Sequence, residues 1–439
     1  MRSPFASRWL VVAASVCGLL VGAGPILIFA SGVFLKPVSA DLGIARGDLS
    51  SALLVSTFCI AVTSPFVGGL LDRFGTRRVM IPGLVLYALA VASFGLMQAR
   101  PLFVIPLIFA VVGFVGAVQT PIPYAAVVTQ WFDRQRGLAL GIATSGVGLG
   151  VALLPPMLAM MIGAFGWRYA YLGLGIAVLV LAWLPVALFV RQPPGLAAGS
   201  AAGSAQAAAR DLVPGRSSHR ADALPGLTAA AAFRQWRFWA LTIAFFLAVM
   251  AINGTLTHVI PLLTDRGIPL QQAAFVFSFA GYAIILGRIL AGWCLDRFWG
   301  PHIAMFFFAV PIIGIVLLGS GATGFAPVVG AILCGAGIGA EIDLMAFFLS
   351  RYFGLKAYGK IYGVMFAVFN IGTGLGPALS GVSFDRFRSY EPIFIAYAAA
   401  LVITCALFVR LGPYPYPAPR HDSAPGKPMQ GRQHMSTSV

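Results

Sequence analysis

Three ionisable residues stand inside long apolar runs of this chain: Arg288, Glu341 and Asp343. An ionisable side chain at membrane depth costs about 2.5–3.5 kcal/mol on insertion scales and is retained mostly for function. Arg288 lies eight residues before Asp296, where its run meets a charged loop. At about 1.5 Å per helical residue this is roughly 12 Å from the helix end, near the middle of a core about 30 Å thick. A guanidinium held there seeks a carboxylate, from a neighbouring helix or from an organic anion. Glu341 and Asp343 belong to Gly335-Ala-Gly-Ile-Gly-Ala-Glu-Ile-Asp-Leu344. Two residues apart on a helix they diverge by about 200°, so one should face a central cavity and the other a neighbouring helix. Either carboxyl is suited to carrying a proton. Tyr124 and Gln119 in the fourth run, Asn253 in the seventh and Asn370 in the eleventh can hydrogen-bond a substrate or an adjacent helix. His258, near the far end of the seventh run, reads as interfacial.

Those residues need helices to position them, and composition says of what kind. Apolar residues make up 59% of the 439 and charged residues only 10%; the mean hydropathy is +0.90. Soluble domains are about 45–50% apolar and about 25% charged, so the chain is expected to be all-α and polytopic. Twelve apolar runs lie near 8–31, 47–71, 78–98, 102–130, 137–162, 168–190, 238–263, 271–295, 302–321, 326–350, 358–384 and 392–410. The first is too long for the apolar core of a cleaved signal peptide and is read as a span. The five cysteines fall in or beside these runs without paired spacing, as small buried hydrophobes do.

The net charge of +16 forms no basic stripe, so no nucleic-acid partner is expected. With the N-terminus cytoplasmic, 21 of the 29 Lys and Arg fall in cytoplasmic segments and seven in outer loops, Arg288 being the remaining one. That bias places both termini inside.

The chain also repeats itself. Gly68-Gly-Leu-Leu-Asp-Arg-Phe74 returns 224 residues later as Gly292-Trp-Cys-Leu-Asp-Arg-Phe298, and Gly146-x-Gly148-x-Gly150 returns as Gly372-x-Gly374-x-Gly376. Small residues four apart share a helix face and let backbones approach. Two repeats at nearly one offset indicate two similar six-helix halves, as in many carriers. The halves are expected at 1–190 and 236–411, joined by a flexible Ala/Gly/Ser-rich and Arg-bearing linker at 191–235 and followed by a disordered tail at 412–439. At the offset of the repeat, Ser64 stands where the second half has Arg288, so the asymmetry marks the binding site.

The motif Gly68-x-Leu70-x-Asp72-Arg73-x-Gly75-x-Arg77-Arg78 resembles the signature loop of the major facilitator superfamily. The resemblance implies two pseudo-symmetric bundles of six helices. It also implies a gating role for this loop, with Gly68, Asp72, Arg73, Gly75, Arg77, Arg78 and Arg136 in the first half and Asp296 and Arg297 in the degraded second copy. A carboxylate near a helix N-terminus or guanidinium groups gains bonds that exist in one conformation and break in another. Several segments are similar to the bacterial branch that includes oxalate/formate exchangers and monocarboxylate transporters. They are Gly32-Val-Phe-Leu-Lys-Pro37, the stretch from Trp131 to Gly141, Phe165-Gly-Trp-Arg-Tyr169, and Gly339-Ala-Glu-Ile-Asp343 leading to Arg351-Tyr-Phe-Gly354. That branch implies a substrate-gripping arginine in the eighth helix, matched by Arg288, and in some members a tyrosine in the fourth, matched by Tyr124. The lysine that oxalate exchangers carry in the eleventh helix is absent; Asn370 is the strongly polar mid-span residue there. One fixed cation suits a monoanion better than a dianion.

The expectation is a proton-coupled uptake carrier for a small organic monocarboxylate, working by alternating access in a bacterial inner membrane and functioning as a monomer. An efflux antiporter for lipophilic compounds and an organic-anion exchanger are the alternatives. No cofactor, metal-ligand cluster or enzymatic arrangement is expected.

Overall fold

The computed structural model describes residues 4–98, 103–132, 135–190, 226–354 and 356–416. The segment 191–225, the tail from 417 onward, and the side chains of Asp72 and Arg136 lie outside the described residues.

Twelve helices are long and apolar enough to cross a membrane. They are α1 (Arg8–Phe29), α2 (Arg46–Leu71), α3 (Thr76–Leu96), α4 (Val104–Trp131), α5 (Gly137–Phe165), α6 (Trp167–Phe189), α7 (Trp236–Asp265), α8 (Leu270–Leu295), α9 (Gly300–Gly319), α10 (Ala326–Phe353), α11 (Tyr358–Phe387) and α12 (Glu391–Val409). The expected runs match these within about three residues at either end, since a stretch that must satisfy its own backbone in lipid has no alternative to helix.

Local chemistry sets the breaks and corners. Pro25 has no N–H to give the carbonyl four residues back, and α1 is interrupted there by a wider-wound turn at Gly24–Phe29 before continuing as Ser31–Leu42. Gly75 turns the corner between α2 and α3 with φ of 84°, which explains why the signature loop needs glycine at that position.

The helices form two bundles. In the first, α1 packs on α5, α2 on α4, and α3 on α6; in the second, α8 and α9 pack on α10, and α7 on α11 and α12. The bundles meet where α2 lies along α11, α5 along α8, and the Ser31–Leu42 extension of α1 against α7. The bundles' outward surface is apolar: Phe66, Leu96, Leu286 and Phe325 are 68, 72, 66 and 85% exposed, as lipid-facing side chains are. A short helix, Ala229–Phe233, precedes α7, with Thr228 capping it and Leu227 donating to the Phe353 carbonyl at the end of α10. Just past α12, the Tyr352 hydroxyl donates to the Gly412 carbonyl at 2.7 Å, and the Tyr414 ring lies 4.1 Å from Trp299.

Candidate functional site

The residue that opened the sequence argument sits where the two bundles touch. Gly339 of α10 brings its backbone against Ile284 and Arg288 of α8; a side chain there would collide with the Ile284 carbonyl. One turn further along the same face of α10, Asp343 meets Arg288, with Oδ2 3.4 Å from Nε. The guanidinium also donates through an Nη to the Thr144 carbonyl of α5, at 3.4 Å. Arg288 thus joins a carboxylate of its own half to backbone of the other half. Both contacts are long, and the two side chains keep 18% and 32% exposure. The guanidinium retains donors for an incoming anion.

Glu341 goes the other way. It shares a face with Gly337, which rests on Ile252 of α7 and on Pro311 and Phe307 of α9. The residue is 1% exposed and its Oε1 has no hydrogen-bond partner among the described residues. The two carboxylates therefore divide as their spacing requires, with Asp343 beside the cation and Glu341 inside the second bundle.

Tyr124 and Gln119 serve the break in α1. The Tyr124 hydroxyl donates to Gln119 Oε1 at 2.6 Å. Gln119 Nε2 donates to the carbonyls of Gly18 and Val21, at 3.0 and 3.2 Å. The Val21 carbonyl is the acceptor that Pro25 cannot serve, and Gly22 N turns to Leu19 instead of Gly18. Asn253 donates to Val249 at 3.2 Å and Asn370 to Phe366 at 2.8 Å, each within its own helix. Asn253 is buried, whereas Asn370 is half-buried.

Within the signature loop, Arg77 donates to the Ala187 carbonyl in the last turn of α6 at 2.8 Å, a favourable place for a cation. Arg73 lies over Phe74, and Arg78 is exposed. In the second copy Asp296 is exposed, and Arg297 folds over Trp293 at 4.3 Å.

A polar latch between the halves lies at the opposite end of the molecule, and sequence reasoning missed it. Asp265, at the end of α7, accepts from Arg46 at 2.6 and 2.9 Å and from Lys36 at 2.9 Å. Asp385 of α11 accepts from the backbone N–H groups of Arg46 and Gly47, the first turn of α2, at 3.2 and 2.6 Å. The Arg46 guanidinium also covers the Phe384 ring at 3.9 Å and donates to Tyr390 at 3.1 Å. His258, expected at an interface, is instead fully buried behind this latch. Its ring nitrogens lie 3.2 Å from the Tyr390 hydroxyl, 3.0 Å from the Pro377 carbonyl and 3.3 Å from Ser50 Oγ. The repeat carried a signal for it. Asp41-Leu-Gly43-Ile44 recurs 224 residues on as Asp265-Arg-Gly267-Ile268, the offset of the Asp-Arg-Phe pair.

Two bundles of six spans, duplicated motifs and a charged centre between them agree with the comparisons. Residues 14–372 match the family described as the Major Facilitator Superfamily. The chain belongs to the major facilitator superfamily. It is 27% identical over 406 residues to monocarboxylate transporter 4 of Rattus norvegicus, covering 90% of this chain and 81% of that one. It is 26% identical over 405 residues to the uncharacterized MFS-type transporter YcxA of Bacillus subtilis, covering 86% and 87%. Among solved structures, a bacterial homologue of the human lysosomal transporter Spinster, inward-facing and occupied, superposes with a TM-score of 0.67 at 18% identity, covering 94% and 97% of the chains. The nucleoside transporter NupG superposes with 0.70 at 13% identity, covering 92% and 99%. These two fix the fold alone. The protein is a multi-pass membrane transporter and not an enzyme.

Proposed function

We propose that this transporter carries a small organic monocarboxylate inward together with a proton, by alternating access, as a monomer in a bacterial inner membrane with both termini cytoplasmic. The observation that carries the reading is Arg288. A cation at mid-depth, loosely held by Asp343 and touching the other half through Thr144, is what a monoanion can compete for. When a substrate carboxylate takes the guanidinium, Asp343 loses its partner and accepts a proton, so the loaded centre keeps its charge balance. Glu341, buried with no partner on Oε1 among the described residues, is a second carboxyl for proton traffic. Relatives named monocarboxylate transporters support the substrate class. In this reading Tyr124 and Gln119 hold the kinked α1 in place, Asn253 is a buried packing residue of α7, and the half-buried Asn370 is the one of the four left to line the approach. The signature loop, with Asp72, Arg73, Arg77, Arg78 and Arg136 on one side and Asp296 and Arg297 on the other, closes the cytoplasmic end when the substrate faces outward. The segment 191–235 tethers the halves while they rock.

The test is uptake of radiolabelled short-chain acids into proteoliposomes with an imposed pH gradient. Arg288→Gln should abolish uptake with membrane insertion intact. Asp343→Asn should retain acid binding but lose dependence on the gradient. Normal transport by Arg288→Gln would remove the reading; gradient-dependent uptake by Asp343→Asn would move proton coupling to Glu341.

A further inference from the structure

The cytoplasmic half of α11 carries a ladder of aromatic rings that the transport reading does not use. Tyr358, Tyr362, Phe366 and Phe369 follow one another at spacings of four, four and three residues, which keeps them on one side of the helix. Successive ring centroids are 5.8, 5.7 and 5.9 Å apart with planes inclined by only 21, 15 and 11°. Parallel rings at that separation are displaced like shingles, so each leaves part of a face uncovered.

The ladder does not face lipid. Val364 and Val382, exposed side chains of α11, lie roughly 140–160° around the helix from Tyr362, Phe366 and Phe369, at about 100° per residue. The lower end is anchored, because the buried Tyr358 donates to the Ala346 carbonyl of α10 at 3.3 Å. That carbonyl lies three residues beyond Asp343 on α10, and Tyr362 stacks on Tyr358 one turn above the anchor. Tyr362 and Phe366 remain half-buried.

We infer that the ladder is the specificity surface of the carrier, and that its preferred substrate is a monocarboxylate with a planar aromatic tail. The inference rests on Arg288 as the carboxylate grip. The acid head sits at the Arg288–Asp343 pair, positioned by the Tyr362 hydroxyl. The tail runs deeper, over the half-buried Phe366 and up to the edge of the buried Phe369, which lie about 6 and 10 Å further along the helix axis at 1.5 Å per residue. That span accommodates one six-membered ring on a short linker. A short aliphatic acid such as propionate reaches the cation but leaves the rings uncovered.

Binding of benzoate, phenylacetate, propionate and benzyl alcohol to the full-length protein in nanodiscs, measured by calorimetry, tests this. The wild type should bind phenylacetate about tenfold more tightly than propionate, the size of effect that one or two aromatic contacts supply. Phe366→Leu should erase that preference while leaving propionate unchanged, and Phe366→Tyr should keep it. Tyr362→Phe should weaken both acids alike. Equal affinities for phenylacetate and propionate, unaltered in Phe366→Leu, would overturn the aromatic inference and leave the carboxylate reading standing. Benzyl alcohol binding as tightly as the acids, with Arg288→Gln unaffected, would instead overturn the carboxylate reading beneath it.

Discussion

The same helices behave differently at their two ends. From mid-helix toward the end that carries Asp265 and Asp385, α2 meets α11 and α5 meets α8 through glycines with no room for a side chain. A Cβ on Gly374 would lie 2.7 Å from Leu54 Cα, and one on Gly281 would lie 2.7 Å from Ala152 Cα. At the signature-loop end, Gly68 on α2, Gly137 on α5, Gly292 on α8 and Gly363 on α11 would each meet nothing within 4 Å. The end with the ion pairs is shut and the end with the signature motif is open. Small residues at the open end, with nothing packed on them, make sense if a second arrangement packs them in turn. The packed glycines hold one state and the unpacked ones await another.

The largest effect should come from Gly374→Leu or Gly281→Leu. The obstructing atoms at Gly281 are all backbone, and at Gly374 they include Leu54 Cα beside the Thr57 hydroxyl, so neither site can clear by a rotamer change alone, and overpacking costs about 1–3 kcal/mol or more. Because that penalty falls on the state closed at the ion-paired end, it changes the ratio of states by as much as about a hundredfold. Transport should fall accordingly, and the melting temperature of the purified protein should drop. Gly292→Leu makes the converse test, with an unchanged melting temperature but impaired transport. Wild-type transport by both variants would show that neither seam has to close.

Asp265→Asn should come next. The substitution leaves Arg46, whose side chain is only 12% exposed, without its bidentate partner, and also frees Lys36. A charge-assisted bond of this kind contributes about 1.5–3 kcal/mol, but the aspartate side chain is one-quarter exposed and solvent weakens the pair. A shift of roughly tenfold toward opening at this end is expected. Thr257→Cys, placed where α7 meets α1, would report it through faster labelling by an impermeant maleimide in a background lacking the native cysteines. Unchanged labelling would mean that the glycine seams hold this end without help.

How far the sequence reached follows the range of the interactions. Spans, their bounds and the duplication were legible because lipid imposes helix and because the motifs sit at one offset. Arg288 was legible because a mid-span cation is conspicuous. Which carboxylate meets it was not, since that depends on the rotation of α10, set by how closely Gly337 and Gly339 lie against α9 and α8. Gln119 looked like a substrate ligand because its partners are backbone carbonyls freed by Pro25, about a hundred residues away in sequence. His258 looked interfacial because its cover comes from Ser50, Pro377 and Tyr390, on three other stretches of chain. Local pattern reports burial by lipid well and burial by distant protein poorly.

The smallest expected effect is the most discriminating, because it compares the two copies of the Asp-x-Gly-Ile turn. Asp41 occupies the place in the first half that Asp265 occupies in the second, yet its partners are Arg168, at 2.6 Å, and the Trp167 indole, at 3.2 Å, at the start of α6 in its own bundle. Both members of the Asp41–Arg168 pair are nearly half exposed, so the pair is worth about 0–1 kcal/mol. More important, a contact inside one bundle is present in every arrangement of the two and cannot bias the choice between them. Asp41→Asn should therefore lower the melting temperature by a degree or two at most and leave Thr257→Cys labelling as it was, whereas Asp265→Asn changes the labelling. If Asp41→Asn altered the labelling as strongly as Asp265→Asn, the latch would have to be assigned to the stability of the corner turns themselves, and the distinction between a bond within a half and a bond between halves would lose its mechanical meaning here.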